Sequence, residues 1–164
     1  MAKVTLMLEM TRLEIDHLLA GVRIGRLCLA SPEGKPYSVP FPFCWADGSL
    51  YLRVALTGRK GEILALNDQV CFGVDAYTDT LDDYASVLIE GRLAAVTDPQ
   101  EKARIRSVND AKYHRLRRGY RPGHGRSTAL SDLPLRKIVV ERVTGRRKEP
   151  ELHIDEEDHG RRTA

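Results

Sequence analysis

The stretch Pro36-Tyr37-Ser38-Val39-Pro40-Phe41-Pro42-Phe43-Cys44-Trp45-Ala46-Asp47-Gly48-Ser49-Leu50-Tyr51 decides the fold. It reads as a strand from Pro36 to about Ala46, with Asp47-Gly48 signalling a tight hairpin into a second strand over residues 50–55. Pro40 and Pro42 each remove a backbone donor, so the first strand needs either a bulge or a free edge. A strand open on one side is a surface against which a planar ligand can lie. An ordinary edge strand with irregular pairing would carry the same prolines.

Upstream, Thr11 and Glu14 form a T-x-x-E capping box, and Ile15, Leu18 and Leu19 supply the apolar stripe of a short helix that Gly21 ends. A strand over residues 22–30 follows, then turn chemistry in Ser31-Pro32-Glu33-Gly34. Downstream, Thr57-Gly58-Arg59-Lys60 opens a helix that Asn67 can end. Residues 70–76 and 86–96 read as strands separated by a polar, acidic loop. Asp98-Pro99 is an N-cap followed by proline at the first helical position, and that helix runs past Lys112. A last strand covers residues 135–143, and beyond Pro150 the chain is polar, with little order expected. The sum is mainly β with flanking helices: about six strands, mostly antiparallel, closing into a small barrel, with three helices around it. Residues 1–148 read as one domain and 149–164 as a polar tail.

Composition narrows the function classes. The chain has 164 residues, 42% hydrophobic and 30% charged, which suits one domain with a real core. No apolar run approaches the roughly 20 residues of a membrane span, and the N-terminus lacks a signal-peptide pattern, so the cytoplasm is the default. The three cysteines, Cys28, Cys44 and Cys71, are widely spaced inside apolar runs; they read as packing residues rather than a disulfide or metal framework. A net charge of +3 names no partner. From Lys112 to Arg126, however, there are six Lys/Arg and no acid, with Tyr113 and Tyr120 between them. Such a segment can bind single-stranded nucleic acid. With no nucleic-acid-binding module in the sequence, a loop over a phosphate-bearing cofactor or substrate is the better reading.

The sharpest candidate site is Thr57-Gly58-Arg59-Lys60. A hydroxyl, a glycine and two cations at a helix N-terminus suit a phosphate monoester, because the free amides and the helix dipole face the anion and arginine grips it bidentately. An ordinary solvated helix start carries the same residue types. Arg53 shares a strand face with Tyr51 by the two-residue period and can also point toward the anion; a surface salt bridge is the alternative. Five histidines (His17, His114, His124, His153 and His159) are scattered without an acid or serine at motif spacing, so no nucleophilic triad is visible. Trp45 reads as a core or interface anchor.

The order of these pieces resembles the flavin-binding split barrels of the pyridoxamine 5′-phosphate oxidase-like superfamily, in their nitroimidazole-resistance-like branch. The matching stretches are Gly25-Arg26-Leu27, Pro36-Tyr37-Ser38-Val39-Pro40, Gly48-Ser49-Leu50-Tyr51, Gly58-Arg59-Lys60, Val70-Cys71-Phe72, Ser86-Val87-Leu88-Ile89-Glu90-Gly91-Arg92 and Val143-Thr144-Gly145-Arg146. The resemblance implies a six-stranded split barrel and a homodimer with two flavin mononucleotide (FMN) sites at the subunit interface. It implies that Ser38, Val39, Pro40 and Phe41 run along the isoalloxazine ring, that Thr57, Arg59 and Lys60 hold the phosphate, and that Ser86 contacts the flavin. The implied activity is an FMN-dependent oxidoreductase acting on a small substrate. A deazaflavin-dependent reductase of the same fold and a non-catalytic flavin- or haem-binding protein are the alternatives. Two departures shape that expectation. Arg53 stands where the nitroimidazole-resistance proteins commonly carry a histidine, and no C-terminal Arg-x-His segment of the kind used in pyridoxal phosphate synthesis is present.

Overall fold

In the computed structural model, residues 7–118 and 134–148 are described. The strand expected over residues 36–46 is two strands broken at one residue: β3 (Pro36–Pro42) and β4 (Cys44–Ala46), either side of Phe43. The other strands are β1 (Met7–Glu9), β2 (Ile24–Ala30), β5 (Ser49–Arg53), β6 (Gln69–Tyr77), β7 (Tyr84–Ala95) and β8 (Leu135–Lys148). The helices are α1 (Arg12–Gly21), α2 (Gly58–Leu66) and α3 (Pro99–Leu116). All strand pairings are antiparallel, and the order across the sheet is β3-β2-β6-β7-β8-β5-β4, with β1 added on β8. β3 and β4 are therefore consecutive in the chain yet lie at opposite ends of the strand order. The sheet curls until its two ends meet at Phe43, which is the geometry of a split barrel.

Local chemistry explains most element ends. Thr11 and Glu14 form the reciprocal capping box that starts α1, and Asp98 accepts from the amides of Gln100 and Glu101 to start α3. The β4–β5 hairpin turns through Asp47 (φ 49°) and Gly48 (φ 71°), the left-handed pair that a two-residue turn requires. The eight strands among the described residues exceed the expected six because Phe43 divides one strand and β1 adds a short one. The last strand also runs on through Thr144-Gly145-Arg146-Arg147-Lys148, pairing with both β1 and β7.

The core lies inside the curl. Inward positions alternate along each strand, and Leu27, Leu50, Phe72, Ile89 and Ile138 are fully buried there. Phe43 packs edge-on to Phe72, ring centres 5.2 Å apart, and α1 and α2 cover the core with Ile15, Leu19 and Ile63. Burying one such side chain contributes about 1.5–3 kcal/mol. A second, smaller cluster (Cys44, Tyr51, Val96, Ile105 and Leu135) lies where α3 docks on β4, β5 and β8.

Two adjacent residues of α3 fix the break at Phe43. Tyr113 Oη accepts the Phe43 N–H at 3.0 Å and donates to the Arg23 carbonyl at 2.6 Å. Lys112 Nζ donates to the carbonyls of Leu19 and Phe43, each at 3.0 Å, and sits 3.6 Å from the Phe43 ring centre. The basic segment expected from Lys112 thus begins with two buried, structural residues; the cations from Arg121 onward, His124 and the polar tail over 149–164 lie outside the described residues. No described helix is long and apolar enough to cross a membrane.

Candidate functional site

β3 is an edge strand: among the described residues, β2 is its only hydrogen-bonded neighbour. The pairing is continuous from Ile24↔Pro42 to Ala30↔Pro36, with no bulge, so the free edge and not an irregularity accommodates the prolines. Pro36, Pro40 and Pro42 share one parity. In an antiparallel ladder alternate residues exchange both bonds with the partner, and a proline cannot donate there. Tyr37, Val39 and Phe41 therefore serve β2, while the carbonyls of Pro36, Ser38, Pro40 and Pro42 face the open edge. Ser38 supplies the only amide N–H of that parity. The open edge is a row of acceptors with one donor among them.

Side chains alternate the other way, through the sheet. Tyr37, Val39 and Phe41 are half-buried on the inner face, whereas Pro36, Ser38, Pro40 and Pro42 are exposed on the outer face. Ser38 Oγ lies 3.6 Å from Cys28 Sγ on the neighbouring strand.

The N-terminus of α2 is brought to this strand by one contact. The Arg59 guanidinium stacks over the Tyr37 ring, 4.9 Å from its centre. Thr57 is extended (φ −123°, ψ 155°), and its hydroxyl makes no capping bond, so the first-turn amides of α2 are not taken by a side-chain cap. Gly58 has φ +62°, a left-handed conformation that glycine adopts without strain. Lys60 Nζ turns back to the Thr57 carbonyl at 3.4 Å. Gly61 keeps the entry tight, since a Cβ there would lie 2.5 Å from the Leu56 carbonyl carbon. The result is a hydroxyl, free amides and two cations within one helical turn, beside an unpaired strand edge.

The other sequence candidates fall elsewhere in the chain. Arg53 ends β5 opposite Leu135, on the face where Tyr51 donates to Glu101 of α3 at 2.8 Å. Burial, then the Glu101 carboxylate, pushes the Tyr51 phenol up, and the Lys137 ammonium holds Glu101 below the usual carboxylate range. Ser86 lies on β7, opposite Asp75 and Arg146, with β2 and β6 between it and β3. One chain therefore joins β3 to Thr57, Arg59 and Lys60 but leaves Ser86 apart. His17 and His114 are exposed on α1 and α3. Trp45 is half-buried against α1, its indole donating to Asp16 at 2.7 Å. Tyr37, which ties α2 to β3, was not among the candidates; its parity with Val39 and Phe41 is the signal that places it on the inner face.

A family model described as pyridoxamine 5′-phosphate oxidase matches residues 11–147. No curated protein matches the chain by sequence. Among solved structures, the chain is similar to an FAD-binding protein from Mesorhizobium loti (24% identity, TM-score 0.67, covering 89% of this chain and 99% of that one). It is also similar to a candidate 5-nitroimidazole antibiotic resistance protein from Bacteroides thetaiotaomicron (19% identity, TM-score 0.69, 89% and 90%). A heme-binding protein from Mycobacterium smegmatis shares the fold over 77% of this chain and 49% of its own length, at 20% identity and a TM-score of 0.55. At these identities the likeness to solved structures is one of fold. The family match spans nearly the whole curled sheet, from the α1 cap at Thr11 to the end of β8, and the chain belongs to the pyridoxamine 5′-phosphate oxidase-like family.

Proposed function

We propose that this protein is an FMN-dependent oxidoreductase acting on a small substrate as a homodimer. One observation carries the reading: the Arg59–Tyr37 contact sets a phosphate-suited helix start beside an unpaired strand edge rich in acceptors. The donor set fits the cofactor. Thr57, Arg59, Lys60 and the amides after Gly58 would hold a phosphate monoester. The open edge of β3 would meet the polar edge of the ring system with the carbonyls of Ser38 and Pro40 and the single Ser38 amide, and Val39 and Phe41, bonded to β2, would flank it. When bound, the flavin supplies the redox centre, and the protein supplies binding, orientation and electrostatics.

Ser86 is three strands from β3 in the same chain. A second copy would bring its Ser86 to the site, in keeping with the dimer that the family resemblance implies. Arg53 is assigned to the edge of the phosphate site through its position four residues before Thr57. A haem-binding role, suggested by the Mycobacterium smegmatis neighbour, has less support, since His17 and His114 both stand exposed on helices. The deazaflavin alternative rests on the basic segment 112–126, of which residues 119–126 lie outside the described residues.

The test is a visible spectrum of the purified chain, as isolated and titrated with FMN, with deazaflavin and haem titrated in parallel. Flavin bands that are lost in the Arg59→Ala/Lys60→Ala variant support the assignment. A chain that stays colourless with FMN, and whose melting temperature does not move, overturns it.

A further inference from the structure

Cys28 and Cys71 are 43 positions apart in the chain yet directly opposite each other on β2 and β6. Directly opposed residues of an antiparallel pair have Cα atoms about 4.5–5.5 Å apart, inside the roughly 4.4–6.8 Å span of a disulfide. Their inward neighbours Leu27, Leu29, Val70 and Phe72 are buried, so both thiols project from the outer face of the sheet, where each is half-buried. Both are free. The row they occupy continues as Ser38 on β3, Glu90 on β7 and Arg142 on β8. Cys28 Sγ donates to Ser38 Oγ at 3.6 Å. The third cysteine, Cys44, is buried in the α3 cluster, on a strand at the far end of the sheet.

We propose that Cys28 and Cys71 form a dithiol site that reacts with low-molecular-weight disulfides, closing to a cross-strand disulfide between β2 and β6. The Cys28 thiolate attacks one sulfur of the small disulfide, forming a mixed disulfide and releasing the first small thiol. Cys71 then loses its proton and attacks the Cys28 sulfur; the Cys28–Cys71 bond forms and a second small thiol leaves. Two protein thiols are oxidised, one small disulfide is reduced, and the two thiol protons end on the two released thiols. The order follows from the surroundings of Cys71. Burial, then the Cys28 thiol beside it and the Glu90 carboxylate, push the Cys71 thiol up to about 11, so it is the poorer first nucleophile. Once Cys28 is capped, Cys71 faces the mixed disulfide across the strand pair.

This site adjoins the proposed flavin edge through the Cys28–Ser38 contact, but it does not rest on that assignment, and its test needs no flavin. The full chain is equilibrated in oxidised-to-reduced glutathione mixtures of increasing ratio, quenched in acid, alkylated under denaturing conditions and mapped by mass spectrometry. The expected result is that alkylation of Cys28 and Cys71 is lost together, with a linked Cys28–Cys71 peptide, while Cys44 stays alkylated. In the Cys44→Ser variant the linkage persists; in Cys71→Ser a stable glutathione adduct accumulates on Cys28. The proposal is overturned if both thiols remain alkylated at every ratio, or if they carry separate glutathione adducts with no linked peptide.

Discussion

Tyr113 Oη accepts the buried N–H of Phe43 at 3.0 Å, across 70 positions of sequence, at the point where the sheet changes from β3 to β4. Tyr113→Phe keeps the ring and removes that acceptor, leaving the amide unsatisfied. Stability should fall by about 1–3 kcal/mol, read as a lower urea midpoint at unchanged slope. A loss within experimental error would mean that the break at Phe43 needs no partner from α3.

Lys112 supplies the other half of the latch, and it is a buried ammonium. Burial lowers its pKa from 10.5 to about 8; Cys44 opposes the shift and Arg115 adds to it. The folded chain therefore holds fewer protons on this group than the unfolded chain between pH 8 and pH 10.5. The cost of burying the charge is full below pH 8 and is relieved as pH rises to 10.5, so this group makes stability rise with pH in that window. The raised thiols of Cys44 and Cys71 act in the opposite sense above pH 9. The Lys112 contribution should appear as the difference between wild type and Lys112→Met, whose stability should lack the rise. Parallel curves across that range would contradict the assignment.

Two glycines should respond unequally to alanine. Gly91 sits at the register shift between β7 and β8, where a Cβ would lie 2.1 Å from the Val139 carbonyl oxygen. Gly58 has open space around its Cβ but a φ of +62°. Gly58→Ala should cost about 1 kcal/mol through backbone strain alone. Gly91→Ala forces the paired strands apart, with a loss of about 3 kcal/mol or more, in the range of overpacked cores. Chemical denaturation of both variants checks the ranking.

Inorganic phosphate offers a check of the α2 start without any flavin. Ligand at about 100 times its dissociation constant stabilises a fold by about 2.7 kcal/mol. The melting temperature of the wild type should rise with phosphate more than with an equal ionic strength of chloride. The excess should vanish in Arg59→Ala/Lys60→Ala. A rise that is the same in the double variant would place the anion elsewhere.

Where local chemistry decided the structure, the sequence was readable. Thr11 with Glu14, Asp98 with Pro99, and Asp47 with Gly48 each act within a few residues, and each element they punctuate starts or turns there. The prolines of β3 announced an edge because a missing donor is a property of the residue itself. Distant partners were not readable in the same way. Pro42 signals a free edge or a bulge, but the position of the break at Phe43 is set by Tyr113 and Lys112 on α3. Lys112 reads as the first cation of a basic segment, although its spacing of seven from buried Ile105 puts both on one helix face. The expected last strand stops at Val143 because pairing with β1 holds residues 144–148 in the sheet by backbone bonds and by Arg146–Glu9, at 2.8 Å, rather than by an apolar pattern. The pairing of Cys28 with Cys71 depends on strand register, which spacing alone does not reveal. At the α2 start, the residue types were visible, and the Tyr37 contact that places them beside β3 was not.

β8 is bonded to β1, β5 and β7 at once, and it enters the sheet last in sequence. Until residue 135 and those after it are available, β5 and β7 have no common neighbour and the two halves of the sheet stay unjoined. A chain growing on the ribosome would hold β7 with one edge open for as long as the intervening residues take to be made. Exposed strand edges of that kind recruit other chains. Synthesis of this protein therefore has an interval of vulnerability that ends only when its fourteen-residue strand arrives, and a pause in translation after β7 is where aggregation would begin.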